Sequence, residues 1–302
     1  MSLKTSLGSF KPFKALVRGA TRLLPDKAYI KLKYYWMFGK MPDLKHPTTY
    51  NEKLNWLKLY DRKPIYNTLV DKYEVKQYVA NLIGKEHLIP TYGVWDSVEE
   101  IDFDSLPQSF VIKGTHDGGS VILCRNKNTF DLELAKKKLR KSLKTNFYWH
   151  GREWPYKAVK HRIIAEAFME DKETAELRDY KFFCFDGIVR ALFIATDRQK
   201  KDTDTKFDFF DAEGNHLPIK QGHPNAEIPP VLPQNFEKMK EFAALLSNGI
   251  PQVRVDFYEV NGNIYFGELT FSHFDGLVPF VPDKWDRVFG DWIKLPNVID
   301  SQ

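Results

Sequence analysis

The sequence has little of what secreted and membrane-spanning proteins need. It contains 2 cysteines in 302 residues. Cys124 and Cys184 both fall in apolar, strand-like runs, where a thiol packs as a small hydrophobic side chain more readily than it forms a disulfide. No uncharged apolar run reaches the roughly 18 residues of a membrane-spanning helix. The opening stretch, MSLKTSLGSFKPFKALVRG, also lacks the apolar centre of a signal peptide. These absences predict a cytoplasmic protein.

Motifs for several other kinds of site are missing as well. The 8 histidines show no HxxxH spacing and no pairing with cysteine, which argues against the common zinc sites. The Walker spacing of phosphate-binding loops is absent, and there is no internal repeat or low-complexity linker. The net charge of +5 is mild. It suits a polyanionic substrate or an anionic membrane surface, although solvated lysine and arginine are the commoner explanation. We predict no nucleic-acid partner and leave the oligomeric state open.

What is present predicts a folded chain of mixed helices and strands. Hydrophobic residues make up 43% of the chain and aromatic residues 15%, which is enough for a buried core. Apolar spacing and capping residues predict helices within 11–40 with a break at Pro25, from Thr49 or Asn51 to about residue 60, at 66–82, after a Thr129 cap, and at 234–248. Strands with tight turns lie between them. The predicted fold class is therefore α+β, dominated by antiparallel hairpins.

The clearest chemical signal is a predicted hairpin, VRVDFYEVNGNIYFGELT, at residues 253–270. The Asn-Gly pair at its centre, between alternating aromatic and β-branched residues, is a strong turn signal. Pairing the strands around that turn sets Asp256 roughly opposite Glu268, with Arg254 and Thr270 at the same end. Two carboxylates close together on one sheet face repel each other unless a cation lies between them. That cation is either Arg254, in a salt bridge with both acids, or Mg²⁺.

Three weaker patterns precede the hairpin. KGTHDGGS at 113–120 ends one strand and begins another. Its glycines allow backbone N–H groups to approach an anion, although a plain hairpin loop explains them too. Lys72 follows Asp71 in the predicted 66–82 helix, where an exposed lysine is ordinary. IIAEAFM at 163–169 predicts either a strand that runs into a linker able to read an adenine edge, or a buried core strand.

Taken in order, these patterns resemble the ATP-grasp superfamily from residue 71 to the end of the hairpin, with a site of the D-alanine–D-alanine ligase type. The resemblance implies that ATP and Mg²⁺ bind this chain. It implies that Lys72 and Lys113 bind the nucleotide phosphates from the two sides of a cleft. It also implies that Gly118, Gly119 and Ser120 form a flexible loop that closes over those phosphates.

The same resemblance implies contacts to adenosine. Glu166 and Phe168 occupy the position of the adenine hinge, and Asp179 stands where an acid holds the ribose.

The resemblance further implies the metal ligands and the reacting groups. Asp256 and Glu268 look like the Mg²⁺ ligands, and Arg254 like the arginine that steadies the acyl phosphate. The third metal position, usually asparagine, is Thr270 here, which puts the number of ligands in doubt. Lys206 stands where a lysine would reach the γ-phosphate.

Longer segments narrow the resemblance to one family. HPTTYNEKLNWLKLYDR, VDKYEVKQYV, YWHGREWPYK and RDYKFFCFDG are similar to ATP-grasp proteins of the teichuronopeptide-biosynthesis (TupA) type, over most of residues 25–295. The implied reaction joins a uronic acid carboxylate to an amino acid or amine in the biosynthesis of a surface polysaccharide, either capsule or O-antigen. The expected division is a helical segment 1–70 in place of the usual N-terminal domain, a lid subdomain 71–165 and a catalytic subdomain 166–302.

Two alternatives stay open. Asp202 and Asp204 form an Asp-x-Asp pair of the kind that holds the metal of a nucleotide sugar, which favours a glycosyltransferase, although solvated turn residues explain the pair as well. Residues 11–40 combine lysine and arginine with aromatic side chains. That combination suits either peripheral contact with the anionic inner face of a membrane or a helical layer packed on the core.

Overall fold

The computed structural model describes residues 21–172, 177–198 and 203–297. The helices in these ranges are α1 Asp26–Phe38, α2 Tyr50–Tyr60, α3 Ile65–Val70, α4 Val75–Ile83, α5 Leu132–Leu143, α6 Tyr148–Gly151, α7 Phe236–Ser247 and α8 Lys284–Trp292. Short 3-10 turns occupy Lys85–His87, Lys127–Thr129, Trp154–Tyr156 and His273–Gly276. No helix in the described ranges is both long and apolar enough to cross a bilayer.

The strands form two antiparallel sheets. They are β1 Thr91–Trp95, β2 Phe110–Gly114, β3 Ile122–Cys124, β4 Ile163–Ala167, β5 Asp179–Phe185, β6 Ile188–Thr196, β7 Lys206–Asp211, β8 His216–Leu217, β9 Val253–Val260 and β10 Asn263–Thr270. A four-stranded sheet has the order β1-β4-β2-β3, and a six-stranded sheet has the order β10-β9-β5-β6-β7-β8. The predicted α+β class is confirmed.

Local signals explain where several helices begin, and they correct two expectations. Thr49 caps α2 as expected, because its side chain accepts the N–H of Glu52 while the Glu52 carboxylate accepts the N–H of Thr49. The cap of α5 is Asp131 and not Thr129, since Asp131 Oδ1 accepts the N–H of Leu134 at 2.9 Å.

The single helix expected at 66–82 is also wrong, because the chain turns at Asp71. Asp71 Oδ1 accepts the N–H groups of Tyr73 at 2.8 Å and Glu74 at 3.1 Å. This side chain–backbone turn competes with helix continuation and starts a second helix, α4. Lys72 therefore lies in a turn between two helices, where its side chain is free to point toward the neighbouring sheet.

The six-stranded sheet is covered on both faces. Alternate residues of a strand point to opposite faces, so Phe182 of β5 packs on the side of α7, whereas Phe183 packs on the side of α2 and α8. Lys181 shares the second face with Phe183, and the register of β5 with β9 adds Asp256 to that face. Lys181 and Asp256 therefore point to the side that the N-terminal helices also cover.

One face of the four-stranded sheet packs on α5. Ile112, Ile163 and Ala165 form a core with Ala135 and Leu139 of that helix. Lys113 directly follows Ile112, and Glu166 directly follows Ala165, so the side chains of Lys113 and Glu166 must point away from α5. They face the six-stranded sheet across a cleft.

Candidate active site

The predicted hairpin forms, with a bulge at Gly267 that the sequence did not predict. Asp256 pairs with Glu268, and Arg254 pairs with Thr270. Arg254 donates through Nε to Asp256 Oδ1 at 2.7 Å and through Nη2 to Asp256 Oδ2 at 2.8 Å. Its Nη2 also donates to Thr270 Oγ1 at 3.0 Å and lies 3.5 Å from Glu268 Oε1. Arg254 therefore forms a salt bridge with Asp256 and lies within ion-pair distance of Glu268.

A neutral histidine fixes Arg254 from behind. Arg254 Nη1 lies 2.5 Å from His273 Nδ1, and His273 Nε2 lies 3.1 Å from Gln221 Oε1. Because a guanidinium only donates hydrogen bonds, Nδ1 of His273 must be the acceptor. Nε2 of His273 must then carry the ring proton and donate a hydrogen bond to Gln221. Burial lowers the pKa of His273 well below its usual value, and the positive charge of Arg254 lowers it further. The arginine is therefore held by both a carboxylate and a neutral ring.

A second buried cation, Lys181, was missed in the sequence. Lys181 Nζ donates to Asp256 Oδ2 and lies 2.9 Å from Asp179 Oδ1. Asp179 also pairs with Arg198, another residue that sequence reasoning missed. The carboxylate expected to hold the ribose is therefore buried and engaged by two cations. The sequence did carry a signal for Lys181, since it stands two residues after Asp179, on the same face of an otherwise apolar strand.

Across the cleft, Glu166 lies between two lysines. Its Oε2 is 2.6 Å from Lys113 Nζ, and its Oε1 is 2.5 Å from Lys76 Nζ. Burial tends to raise the pKa of Glu166, but Lys113 and Lys76 outweigh burial and lower it. The side chain that the resemblance places at the adenine hinge thus positions two lysines. Lys76 was missed because a lysine on a helix is unremarkable in sequence.

Lys72 reaches the same place from its turn. Its backbone N–H donates to Thr115 O at 3.0 Å, and its Nζ donates to the carbonyl oxygen of Asp117. Lys72 and Lys113 line one narrow cavity with Tyr258 of β9. The two lysines expected at the phosphates are therefore brought together.

The glycine loop is anchored at Asp117. Asp117 Oδ1 accepts the N–H of Gly119 at 3.2 Å and both the N–H and the hydroxyl of Ser120, at 3.1 and 2.6 Å. Asp117 Oδ2 accepts the hydroxyl of Ser142 on α5 at 2.5 Å. A Cβ on Gly119 would meet nothing within 4 Å, and one on Gly118 would meet only Phe147. The loop thus has a fixed base and a tip that borders open space.

The space between the two sheets has an apolar end and a cationic end. A cavity of about 290 Å³ is lined by apolar side chains, by Arg198 and Tyr258, and by Lys113 and Glu166, which it shares with the narrow cationic cavity. Its apolar walls are Ile89, Val111, Val121, Leu123, Phe168 and Met169. An apolar slot that opens onto lysines suits a nucleotide, with the base among the apolar side chains and the phosphates at the lysines. Another cavity, of about 630 Å³, lies beside the 261–262 turn and contains none of the predicted site residues.

The charges of the cleft are linked. Burial tends to raise the pKa of Glu268, but Lys72, Lys181 and Arg254, with Lys113, lower it to about 2. Among the ion pairs at the cleft, five cations meet four carboxylates. The cations are Lys76, Lys113, Lys181, Arg198 and Arg254, and the carboxylates are Glu166, Asp179, Asp256 and Glu268. At Glu166 two lysines meet one carboxylate, so this end of the cleft favours an anionic ligand.

The residues predicted to bind Mg²⁺ fit a divalent cation unequally. The Glu268 side chain is 38% exposed, and its Oε1 lies 3.3 Å from Thr270 Oγ1. Carboxylate and hydroxyl oxygens are ligands that Mg²⁺ accepts, so this pair fits. Asp256 is 0% exposed, and both of its oxygens already accept hydrogen bonds from cations.

The structure does not bring Lys206 to this site. Lys206 is the first residue of β7 and pairs with Thr196. The next residue, Phe207, packs on the face of the sheet that carries Lys181. By strand alternation Lys206 belongs to the opposite face. Arg198, at the end of β6, provides a cation at the cleft instead. Of the Asp-x-Asp pair, Asp202 lies outside the described residues and Asp204 is exposed.

The N-terminal helices hold the segment that follows the metal-ligand candidates. Asp275 lies in the turn just after β10, and its Oδ2 is 2.9 Å from Lys33 Nζ of α1. Lys58 of α2 donates to the backbone oxygen of Asp275 at 2.6 Å. The part of the N-terminal segment that the structure describes is therefore a packed layer beside the cleft. Its first 20 residues lie outside the described ranges.

Comparison with known proteins adds the family. The model of TupA-like ATP-grasp proteins matches residues 52–294, which is 243 of the 302 residues. No curated protein matches the chain.

Several solved structures are similar. A D-alanine–D-alanine ligase from Bacillus anthracis complexed with ATP shares 14% identity over 68% of this chain, with a TM-score of 0.39. This chain spans only 55% of that ligase. The Helicobacter pylori D-alanine–D-alanine ligase shares 14% identity over 81% of this chain and 69% of its own, with a TM-score of 0.42. The ATP-grasp ligase PsnB, complexed with a phosphomimetic variant of its minimal precursor, Mg and ADP, shares 12% identity over 97% of this chain and 78% of its own, with a TM-score of 0.46.

Proposed function

The chain belongs to the TupA-like ATP-grasp family, and from that premise we propose that it uses ATP to join a uronic acid carboxylate to an amino acid or amine, in the biosynthesis of a surface polysaccharide such as a capsule or O-antigen. The family match confirms the predicted ATP-grasp membership. The carbon–nitrogen ligase reaction, the acid, the amine and the polysaccharide are the proposal.

One observation carries the site assignment. Lys72 and Lys113 line one cavity, and both of them, with Arg254, lower the pKa of the hairpin acid Glu268, so this carboxylate lies near the same lysines. Cations and carboxylates from both sheets thus converge on the space where an apolar slot ends. That arrangement supports phosphoryl transfer, because positioning and charge neutralisation are most of what such a reaction requires from a protein.

In the first step, an oxygen of the acid substrate attacks the γ-phosphorus of ATP, and the bond from that phosphorus to ADP breaks. Two anions approach each other in this step, so the repulsion between them must be reduced. Lys72 and Lys113 supply fixed positive charge at the phosphates, and Glu166 holds Lys113 in place. When bound at Glu268 and Thr270, Mg²⁺ would add positive charge to the phosphate oxygens.

In the second step, the amine attacks the carbonyl carbon of the acyl phosphate, loses its proton, and phosphate leaves. Negative charge develops on the former carbonyl oxygen. We assign its stabilisation to Arg254, whose guanidinium is held in one orientation by Asp256 and His273 and therefore needs no reorganisation. The glycine loop at 118–120 is the candidate lid that keeps water from the acyl phosphate.

We place the acceptor beside the N-terminal helices. Lys33 and Lys58 contact Asp275, five residues after Thr270, so these helices lie next to the segment that leaves the hairpin. The family's usual N-terminal substrate domain is replaced by this layer, and its lysines suit an acidic saccharide.

We further propose a peripheral contact between α1 and the cytoplasmic face of a membrane. The helix packs inward through Ile30 and Tyr34, while the Trp36 side chain is 87% exposed beside Leu32 and Tyr35, both more than half exposed. Exposed aromatic residues next to lysines are typical of helices that lie in the membrane interface.

Phosphate release tests the proposed reaction. The purified protein is expected to convert ATP to ADP and phosphate only when a uronic acid and an amino acid or amine are both present. Hydroxylamine in place of the amine should trap the acyl phosphate as a hydroxamate. Asp204→Ala serves as the matched control, because a glycosyltransferase would need that residue and the ligase would not. Turnover of a UDP-sugar without ATP would contradict the proposal.

A further inference from the structure

Both oxygens of the Asp256 carboxylate are already paired with buried cations. Its Oδ1 accepts from Arg254 Nε at 2.7 Å, and its Oδ2 accepts from Arg254 Nη2 at 2.8 Å and from Lys181 Nζ. Asp256 is also completely buried. A divalent cation at Asp256 would have to displace Lys181, and the displaced ammonium would have to remain in a dry environment near that ion.

Lys181 is fixed in this position from two sides. It lies 2.9 Å from Asp179 Oδ1, and the register of β5 with β9 places it directly across from Asp256. Asp179 is held in turn by Arg198. An ammonium between two buried carboxylates takes the position that a divalent cation would take but carries a single charge. Nothing in this arrangement requires Lys181 to leave when ATP enters.

The remaining ligands suffice for one ion only. Glu268 and Thr270 offer a partly exposed carboxylate and a hydroxyl. Throughout the described ranges, no three His, Cys, Asp or Glu side chains come together as a metal site. A magnesium ion bound with a nucleotide often has only one or two carboxylates, with phosphate oxygens and water completing its shell.

We propose that Lys181 takes the place beside Asp256 that a second divalent cation would need, so that the enzyme binds one divalent cation per nucleotide, through Glu268 and Thr270. The inference rests on the proposed ATP site and adds the number and position of its metal ions. Asp256 is then a positioning residue, which holds Arg254 and Lys181, and not a metal ligand.

The test counts metal ions directly. Mn²⁺ is titrated into protein saturated with a non-hydrolysable ATP analogue, and free Mn²⁺ is measured by electron paramagnetic resonance. The wild-type protein should bind one Mn²⁺ per nucleotide. Lys181→Met keeps the length of the side chain but removes the positive charge that keeps a second ion from Asp256, so a second Mn²⁺ should bind. Lys53→Met is the matched control, because Lys53 donates to backbone oxygens of Gly290 and Ile293, away from the carboxylates, and should leave the count at one.

A second pair of variants keeps the inference testable if Lys181→Met fails to fold. Glu268→Gln should weaken Mn²⁺ binding by about tenfold or more, whereas Asp256→Asn should leave the Mn²⁺ affinity unchanged although it lowers turnover. Two Mn²⁺ on the wild-type protein, one on Lys181→Met, or equal losses in the two acid variants would each overturn the inference. Nucleotide affinity, measured by calorimetry, separates the two proposals. Two Mn²⁺ with normal nucleotide binding contradicts this inference alone, and absence of nucleotide binding contradicts the proposed function as well.

Discussion

Replacing Glu166 by glutamine should destabilise the protein strongly, because two largely buried lysines would lose the carboxylate with which both form ion pairs. The Lys76 and Lys113 side chains are only 15% and 16% exposed, and Glu166 is their common counter-ion. Removing one partner of a buried ion pair costs about 3–5 kcal/mol. Because Lys76 also donates to Ile89 O at 2.7 Å, we expect the lower end of that range, about 3 kcal/mol. With an unfolding entropy of about 2.1 cal/mol/K per residue, this corresponds to a fall in Tm of about 5 °C for a chain of 302 residues.

The assay is urea unfolding of the nucleotide-free protein, with Glu170→Gln as the control. Glu170 pairs with Arg125, but those side chains are 48% and 51% exposed, so the control should lose less than about 1 kcal/mol. The lysines lower the pKa of Glu166 in the folded state. Its contribution is therefore complete above the unfolded pKa of about 4.3 and is lost as the pH falls through the lower folded value. The difference in the free energy of unfolding between the wild type and Glu166→Gln should become smaller below about pH 4. Equal stability at pH 7, or a difference that does not change with pH, would refute the ion-pair argument.

Further predictions concern the nucleotide, the reaction and the membrane. Lys113→Ala and Lys72→Ala should each weaken binding of an ATP analogue by about 10- to 100-fold in calorimetry, since each removes a charged hydrogen bond to phosphate. Unchanged affinity in both variants would contradict the assignment of these lysines to the phosphates. Glu268→Gln and Asp256→Asn should abolish ATP turnover while circular dichroism shows an intact fold, and Asp208→Asn, a buried acid elsewhere in the same sheet, should not. Trp36→Ala should reduce sedimentation with anionic vesicles at low salt, where charges are least screened, and failure of the wild-type protein to sediment would contradict the membrane contact.

Residues within one hairpin could be placed from the sequence. The Asn-Gly turn fixes the register from Val260–Asn263 to Phe257–Phe266. Continued without a break, that register would set Asp256 opposite Gly267, and a bulge at Gly267 brings Glu268 to that place instead. The cap at Thr49 is equally local, because a capping box needs only two residues three apart. The order of the motifs indicated the ATP-grasp resemblance, and the predicted helices and hairpins indicated the α+β class.

Contacts between distant segments could not be placed in this way. The sequence around Lys76 predicts only a lysine on a helix, and it does not show that β4 brings Glu166 into contact with it. The sequence around Arg198 predicts only a loop residue, and it does not show the ion pair with Asp179. Lys206 was assigned by sequence order, but strand alternation puts it on the other face of the sheet. Thr129 and Asp131 are both good capping residues, and only the observed start of α5 distinguishes them.

The most direct test of the account follows one oxygen atom. The protein is supplied with ATP, an amine and a uronic acid whose carboxylate oxygens are labelled with ¹⁸O, and the released phosphate is analysed by mass spectrometry. If an acyl phosphate forms, the oxygen that attacked the γ-phosphorus stays on that phosphate, so each phosphate should carry one ¹⁸O and ADP should form in equal amount. Unlabelled phosphate, or release of AMP and pyrophosphate, would contradict the proposed reaction.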